Sequence, residues 1–275
     1  PIVIVSAGID LREVEISVHA LRAGALTVIE KPVGPAAADF EEGRRRFLAT
    51  VKAMAQVKVV RHWPLRTGSE LPGTEPRTNS TGQARIVALA ASTGGPSALC
   101  EVLASLPGDF PLPVLVVQHI ARGFVPGFAS LLTTHVSLRA KVAEPGEPLE
   151  PRTIYVAPDD SHMGLKDART VLVSSAPALG GFRPSASFLF ESVAGVFGKS
   201  TLAVVLTGMG QDGLEGLQAV RRAGGQIIAQ DEATSVVFGM PGAAVAAGLA
   251  DATLPLQSIG RHIARTAQAR GGHGA

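Results

Sequence analysis

The stretch Ile86–Leu106, IVALAASTGGPSALCEVLASL, constrains the fold of this chain more than any other. Its opening run, Ile86 to Ala91, has no polar face to turn toward water. Such a run predicts a strand buried on both sides, as in a parallel sheet covered by helices. The run stops at Ser92. Gly94, Gly95 and Pro96 turn the chain, and Ala98, Leu99, Val102, Leu103 and Leu106 then recur at helical spacing. The first amides of a helix have no partner within it and point outward with the positive end of its dipole. A serine at that turn faces a ready-made environment for developing negative charge.

The same alternation runs on from Arg85. Strands are predicted at 86–91, 113–118, 153–157, 202–206 and 226–229, with a short one at 252–254. Helices are predicted at 96–106, 126–135, 185–197, 213–223, 241–247 and 256–269, and a hairpin at 163–174 with its turn near Lys166–Arg169. The fold class expected is α/β: a doubly wound, Rossmann-like parallel sheet with an antiparallel hairpin. Upstream, residues 1–7 and 25–29 read as strands, and 11–23 and 39–57 as helices. Residues 64–84 are rich in Pro, Gly, Ser and Thr and read as a linker. The division expected is a partial α/β segment at 1–60, a linker at 61–84 and the main domain at 85–270.

Composition excludes several classes. The net charge is +2 with dispersed basic residues, and aromatics are 4%. Both argue against nucleic acid as the main partner. The single cysteine, Cys100, lies in a helix pattern and reads as a small buried residue, which rules out a disulfide framework. No apolar run is long enough for a transmembrane span and no signal peptide is visible, so the cytoplasm is expected. The chain opens at Pro1 inside an apolar strand pattern, which suggests a piece of a longer protein.

Doubly wound sheets place their sites beyond the C-terminal strand ends. Strand 86–91 ends at Ser92, strand 113–118 at His119, and strand 202–206 runs into Thr207-Gly208-Met209-Gly210-Gln211-Asp212-Gly213. A hydroxyl, an imidazole and a carboxylate at three strand ends are the parts of a nucleophilic triad. Serine needs a base to take its proton, and the base needs a partner to fix its tautomer. Each residue also has a plainer reading. Ser92 fits a helix N-cap, and His119 a hydrogen-bonded strand-end histidine. Asp212 with Glu215 fits a capping box ahead of Leu214 and Leu217. His162, in Asp-Asp-Ser-His-Met with Asp159 and Asp160, is a competing base and the nearest approach to a metal cluster, without the further ligands a metal site needs. Ser-Thr-Gly-Gly before a helix also suits a phosphate cradle, but neither G-x-x-x-x-G-K-[ST] nor G-x-G-x-x-G follows a strand.

Six motifs then carry a resemblance. They are Ala-Ser-Thr-Gly-Gly-Pro (91–96), Gln-His (118–119), Tyr-Val-Ala-Pro-x-x-x-His-Met (155–163), Arg-Pro-Ser (183–185), Leu-Thr-Gly-Met-Gly-x-Asp-Gly (206–213) and Ala-Gln-Asp-Glu-Ala-Thr-Ser-Val-Val-Phe-Gly-Met-Pro (229–241). In order and spacing they resemble the chemotaxis protein-glutamate methylesterases, the CheB family, over about residues 84 to 268. The resemblance implies catalytic Ser92, His119 and Asp212, with the oxyanion on the backbone amides of Thr93 and Met209. It implies hydrolysis of glutamyl methyl esters on the cytoplasmic helices of chemoreceptors, with glutamine deamidation in many members, and no cofactor or metal. Residues 1–60 resemble the end of a response-regulator receiver of two-component signalling, with Ser6 and Lys31 at the positions that help hold an acyl phosphate. The receiver's phospho-accepting Asp would lie before residue 1. On this sequence the half-receiver cannot be phosphorylated, and a phosphodonor is expected to leave activity unchanged. Through an intact receiver the partner would be the chemotaxis histidine kinase. A non-catalytic scaffold of the same fold, binding receptor or kinase, is the alternative.

The chain departs from the family pattern at three places. Ala90 stands where the family usually has Gly, which is tolerable only if the backbone there is ordinary. Ala186 and Ser187 replace the usual hydrophobic residue and Asp after Arg-Pro-Ser, and the segment Ser174 to Phe182 is also unlike the usual pattern.

Overall fold

A computed structural model of the chain describes residues 1–6, residues 16–57 apart from 18, 22, 33, 36–39 and 56, and residues 84–268. The linker expected at 61–84 lies outside the described residues up to 83, as does most of the helix expected at 11–23. Among the described residues the N-terminal segment has two strands, β1 (Val3–Ser6) and β2 (Thr27–Glu30), helical residues at 16, 17 and 19–21, and the helix α1 (Phe40–Ala55). The strands pair in parallel, and Lys31 donates its amide to the Ser6 carbonyl at 2.9 Å.

From Ile86 the order is β3 (Ile86–Ala91), α2 (Gly95–Ala104), β4 (Val114–Gln118), α3 (Val125–His135), β5 (Arg139–Val142), β6 (Thr153–Val156), β7 (His162–Asp167) and β8 (Thr170–Ser174). It continues with α4 (Ala186–Phe197), β9 (Thr201–Val205), α5 (Leu214–Arg222), β10 (Gln226–Gln230), α6 (Met240–Ala246), β11 (Ala252–Leu254) and α7 (Leu256–Gln268). Seven strands form one sheet in the order β11-β10-β9-β3-β4-β6-β5, and every pairing in it is parallel. β7 and β8 form the separate antiparallel hairpin.

β3 is buried throughout because both of its faces are covered. Val87, Leu89 and Ala91 join the core made by α2, α3 and α7. Ile86, Ala88 and Ala90 join the core made by α4, α5, α6 and the β7–β8 hairpin. Period-two alternation thus divides one continuous apolar run between two cores, and each fully buried Leu or Ile contributes about 1.5–3 kcal/mol. Leu21, Ala25 and Val28 of the N-terminal segment pack into the first core.

The sequence reading misses β5. Its residues, Arg-Ala-Lys-Val, show no apolar run because β5 is the outer strand and Arg139 is exposed. Ala90 is an ordinary strand residue, paired with Val117 on one side and Val205 on the other. Its methyl is fully buried in the second core, and the extended backbone accepts it without strain.

β3 lies between β4 and β9, so chain progress to either side of it opens a crevice at the C-terminal strand ends. Ser92, His119 and the 207–213 loop all start there.

Candidate active site

Ser92 follows the last residue of β3 and is half-buried. It is not an N-cap. The cap of α2 is Gly94, at φ +79°, with no side-chain cap. Ser92 is tied on both sides: its amide donates to the Thr207 carbonyl at 3.0 Å, and its carbonyl accepts the Gly95 amide at 2.8 Å. The Gly94 amide donates to the Leu26 carbonyl at 3.1 Å. Among the described residues this leaves the Thr93 amide as the uncommitted donor of the turn.

His119 continues β4 by one step, donating its amide to the Ala91 carbonyl at 3.0 Å. The side chain of Gln118 strengthens the junction. Its Nε2 donates to the Ser92 carbonyl at 2.8 Å and to the His119 carbonyl at 2.7 Å. One buried amide thus joins the backbones of both residues. The space for it exists because residue 95 is glycine: a Cβ there would stand 2.0 Å from Gln118 Oε1.

The imidazole of His119 meets Asp212, with Nε2 3.0 Å from Oδ2 and both side chains almost wholly buried. Asp212 does not cap α5. The cap is Gly213, at φ +100° and without a side-chain bond. The carboxylate turns instead to the first turn of α4. Oδ2 also accepts the Ala186 amide at 2.7 Å. Oδ1 accepts the Ser185 hydroxyl at 2.9 Å, the Ser187 amide at 3.2 Å and the Gly213 amide at 2.8 Å. A carboxylate at a helix N-terminus is well placed. Burial pushes the Asp212 carboxyl up. The hydrogen bond and charge of His119, the Ala186 amide and the Ser185 hydroxyl together outweigh it, and the group is held down to about 2. An ionised Asp212 has no proton to donate, so Nε2 carries the imidazole hydrogen. Nδ1 is then a free acceptor, buried and without a partner among the described residues.

Met209 belongs to the loop that follows β9. Thr207 holds the loop in place: its amide donates to Gln230 Oε1 at 2.8 Å and its hydroxyl to the Thr93 carbonyl at 2.9 Å. Ser92, Thr93, His119, Phe182 and Met209 line one cavity of about 420 Å³. Residues of β2 and α1 line it as well. Asp212 is not in the lining and stands behind His119.

His162 takes no part in this cavity. It is fully buried and stacks on Phe188 at 4.7 Å. Its Nδ1 accepts the Ser185 amide at 3.2 Å, so its hydrogen is on Nε2, which faces the Pro177 carbonyl at 3.0 Å. It acts as a strut beneath Ser185. Asp160 is engaged by Arg183 at 2.6 Å. Among the described residues no three His, Cys, Asp or Glu side chains converge as a metal site, and no helix is long and apolar enough to cross a membrane.

Ser187 has its hydroxyl turned to the Gly213 amide at 3.0 Å, away from the cavity. Sequence reasoning does not foresee the partners of Gln118, Ser185 or Phe182. Ser185 carries one signal, an N-cap serine before a helix pattern, and it does cap α4. Its bond to Asp212, 27 residues away, has no local signature.

A parallel sheet with a seryl turn, a buried imidazole–carboxylate pair and amide donors at its C-terminal edge defines an α/β protein of hydrolase type. The chain belongs to the CheB methylesterase family, whose model matches residues 87–263. It is 50% identical over 274 residues to a protein-glutamate methylesterase/protein-glutamine glutaminase of Myxococcus xanthus, covering 99% of this chain and 77% of the relative. A relative of the same description from Rhizobium meliloti is 49% identical, covering 93% of this chain and 72% of the relative. The solved catalytic domain of the Thermotoga maritima CheB methylesterase is 38% identical with a TM-score of 0.65, covering 66% of this chain and 98% of that one.

Proposed function

We propose that this chain is a chemotaxis enzyme that hydrolyses glutamyl methyl esters on the cytoplasmic helices of chemoreceptors by acyl transfer through Ser92. The observation that carries the mechanism is the His119–Asp212 pair beside the Ser92 turn, with Nε2 committed to the carboxylate and Nδ1 unpartnered. Ser92 Oγ attacks the ester carbonyl carbon while Nδ1 takes its proton. The tetrahedral oxyanion rests on the Thr93 amide, with the Met209 amide as the second donor. Collapse expels methoxide, which leaves as methanol with the proton from Nδ1. Water, deprotonated by the same nitrogen, attacks the acyl-enzyme, and glutamate and free Ser92 are released. With a glutamine substrate the same steps release ammonia, in keeping with the double name of the relatives. Asp212 stays ionised and steadies the imidazolium. The mechanism uses no cofactor.

Residues 1–60 are the end of a receiver, joined by a linker over 61–84 to the catalytic domain at 85–270. The histidine kinase of the chemotaxis system is the partner of an intact receiver, and the setting is cytoplasmic. The test is methanol release from methylated receptor by this chain and by Ser92→Ala. Release by this chain that Ser92→Ala abolishes supports the reading. Equal release by both overturns the triad, and no release by either leaves the scaffold of the same fold as the function.

A further inference from the structure

We propose that Phe182 is a positioning residue: its ring fixes the plane of the His119 imidazole so that Nδ1 is presented to Ser92, and its face supports the imidazolium formed during acyl transfer. The inference rests on the triad reading above.

The two rings stack at 4.4 Å between centroids with 16° between their planes. Their contact supplies what the hydrogen bonds of His119 do not. The bond from Nε2 to Asp212 fixes one ring atom and leaves the imidazole free to swing about that contact. In His162 both ring nitrogens are engaged, so that ring is fixed by its own bonds. In His119 the second nitrogen must stay open for the serine proton, and it has no partner among the described residues. A flat apolar ring against the imidazole face removes the swing without occupying that nitrogen. It also offers a π face to the cation, an attraction that strengthens when the site is desolvated.

The backbone around Phe182 is built to hold the ring there. Leu179 and Phe182 close a two-residue hairpin, with Phe182 donating to the Leu179 carbonyl at 2.9 Å and Leu179 to the Phe182 carbonyl at 3.1 Å. The two residues between them, Gly180 and Gly181, have φ of +57° and +84°. Positive φ at both positions is the requirement of the tightest hairpin turn, and glycine meets it without strain. The next residue, Arg183, anchors the hairpin from the other end. Its Nε and Nη2 both reach Asp160 Oδ1, at 2.9 and 2.6 Å. Phe182 also lines the cavity, so the ring meets bound substrate as well as the base.

The test is steady-state methanol release from methylated receptor by the full chain and four variants: Phe182→Leu, Phe182→Tyr, Gly181→Val and Ser92→Ala. Leucine keeps apolar contact and loses the flat face. Phe182→Leu is expected to lower kcat about 5-fold to 10-fold with KM changed less than about 2-fold, and Phe182→Tyr to restore kcat to within about 2-fold. Gly181→Val displaces the ring without deleting it and is expected to match Phe182→Leu. In NMR spectra the His119 ring protons, shielded by the stacked ring, move downfield in Phe182→Leu. An unchanged kcat in Phe182→Leu, a loss confined to KM, or a tyrosine variant no better than leucine overturns the inference while Ser92→Ala is inactive. If Ser92→Ala releases methanol like the unmodified chain, the triad is wrong and the inference falls with it.

Discussion

Nε2 of His119 stands 3.0 Å from Oδ2 of Asp212, and the first turn of α4 closes the contact from behind. The two residues come from strands on opposite sides of β3, His119 from β4 and Asp212 from the loop after β9. Ser92 ends the strand between them. The carboxylate is held by four donors besides the imidazole: the amides of Ala186, Ser187 and Gly213 and the hydroxyl of Ser185. Its charge is therefore solvated by fixed dipoles rather than by water. Such dipoles need no reorganisation when the imidazolium forms.

Asp212→Asn tests this charge directly. An amide in place of the carboxylate no longer selects the tautomer with hydrogen on Nε2, and kcat is expected to fall about 10⁴-fold. Stability changes too, with a definite pH sign. The folded carboxyl titrates at about 2, below its unfolded value of about 3.9. Its contribution, about 2–3 kcal/mol, is complete above that unfolded value and is lost as pH falls through the folded one. Urea melts between pH 2 and 6 are expected to show a steeper acid loss in the parent chain than in Asp212→Asn. Parallel curves would refute this.

Much of this arrangement is legible in the chain, and the reason is local. Apolar runs such as Ile86–Ala91 and Val114–Val117 mark strands buried on both faces, and the first polar residues after each run mark the strand end. Ser92, His119 and the 207–213 loop can be found that way. Asp212 cannot be separated from a cap of α5, because Asp-x-x-Glu before Leu217 is a valid capping pattern and only the fold turns the side chain to α4. β5 is invisible because a half-buried outer strand with two cations has no apolar run. The partners of Gln118, Ser185 and Phe182 depend on how separate segments pack, which no local pattern encodes.

Ser185→Ala removes three bonds at once. The hydroxyl donates to Asp212 Oδ1, and its oxygen accepts the Ser187 and Phe188 amides as the cap of α4. Loss of the cap is expected to cost about 1 kcal/mol in chemical denaturation. Loss of a donor to the carboxylate is expected to lower kcat about 10-fold, because one charge-assisted bond of this kind is worth about 1.5–3 kcal/mol. Threonine retains the hydroxyl, so Ser185→Thr should recover most of the activity. An alanine variant with full kcat and reduced stability would make Ser185 a cap alone.

His162→Ala separates the two histidines. The His162 ring is fully buried, and neither of its nitrogens faces Ser92. Its loss leaves a cavity and two unpaired groups, the Pro177 carbonyl and the Ser185 amide, and is expected to destabilise the fold by about 3–5 kcal/mol. Per folded molecule, kcat should stay within about 3-fold of the parent chain, whereas His119→Ala should abolish turnover. Equal losses in the two variants, measured at a temperature where both are folded, would exchange their roles.

Gly95→Ala probes the amide bridge between Ser92 and His119. A methyl at residue 95 would stand 2.0 Å from Gln118 Oε1 and 2.8 Å from the Ala91 methyl. Gln118 must then leave its place, and the Ser92 and His119 carbonyls lose the donor they share. The shift falls on the backbone of Ser92 and His119, the proposed nucleophile and base, where about 1 Å of misplacement would cost about 10² in rate. Gln118→Ala removes the same bridge by a different route and relieves the larger clash. The two substitutions are therefore expected to be non-additive: the double variant should lose little more activity than either single one, and should be more stable than the sum of the single losses predicts. The comparison needs four melting curves and four kcat values. Strictly additive effects would mean that Gly95 and Gln118 act independently and that no shared bridge aligns Ser92 with His119.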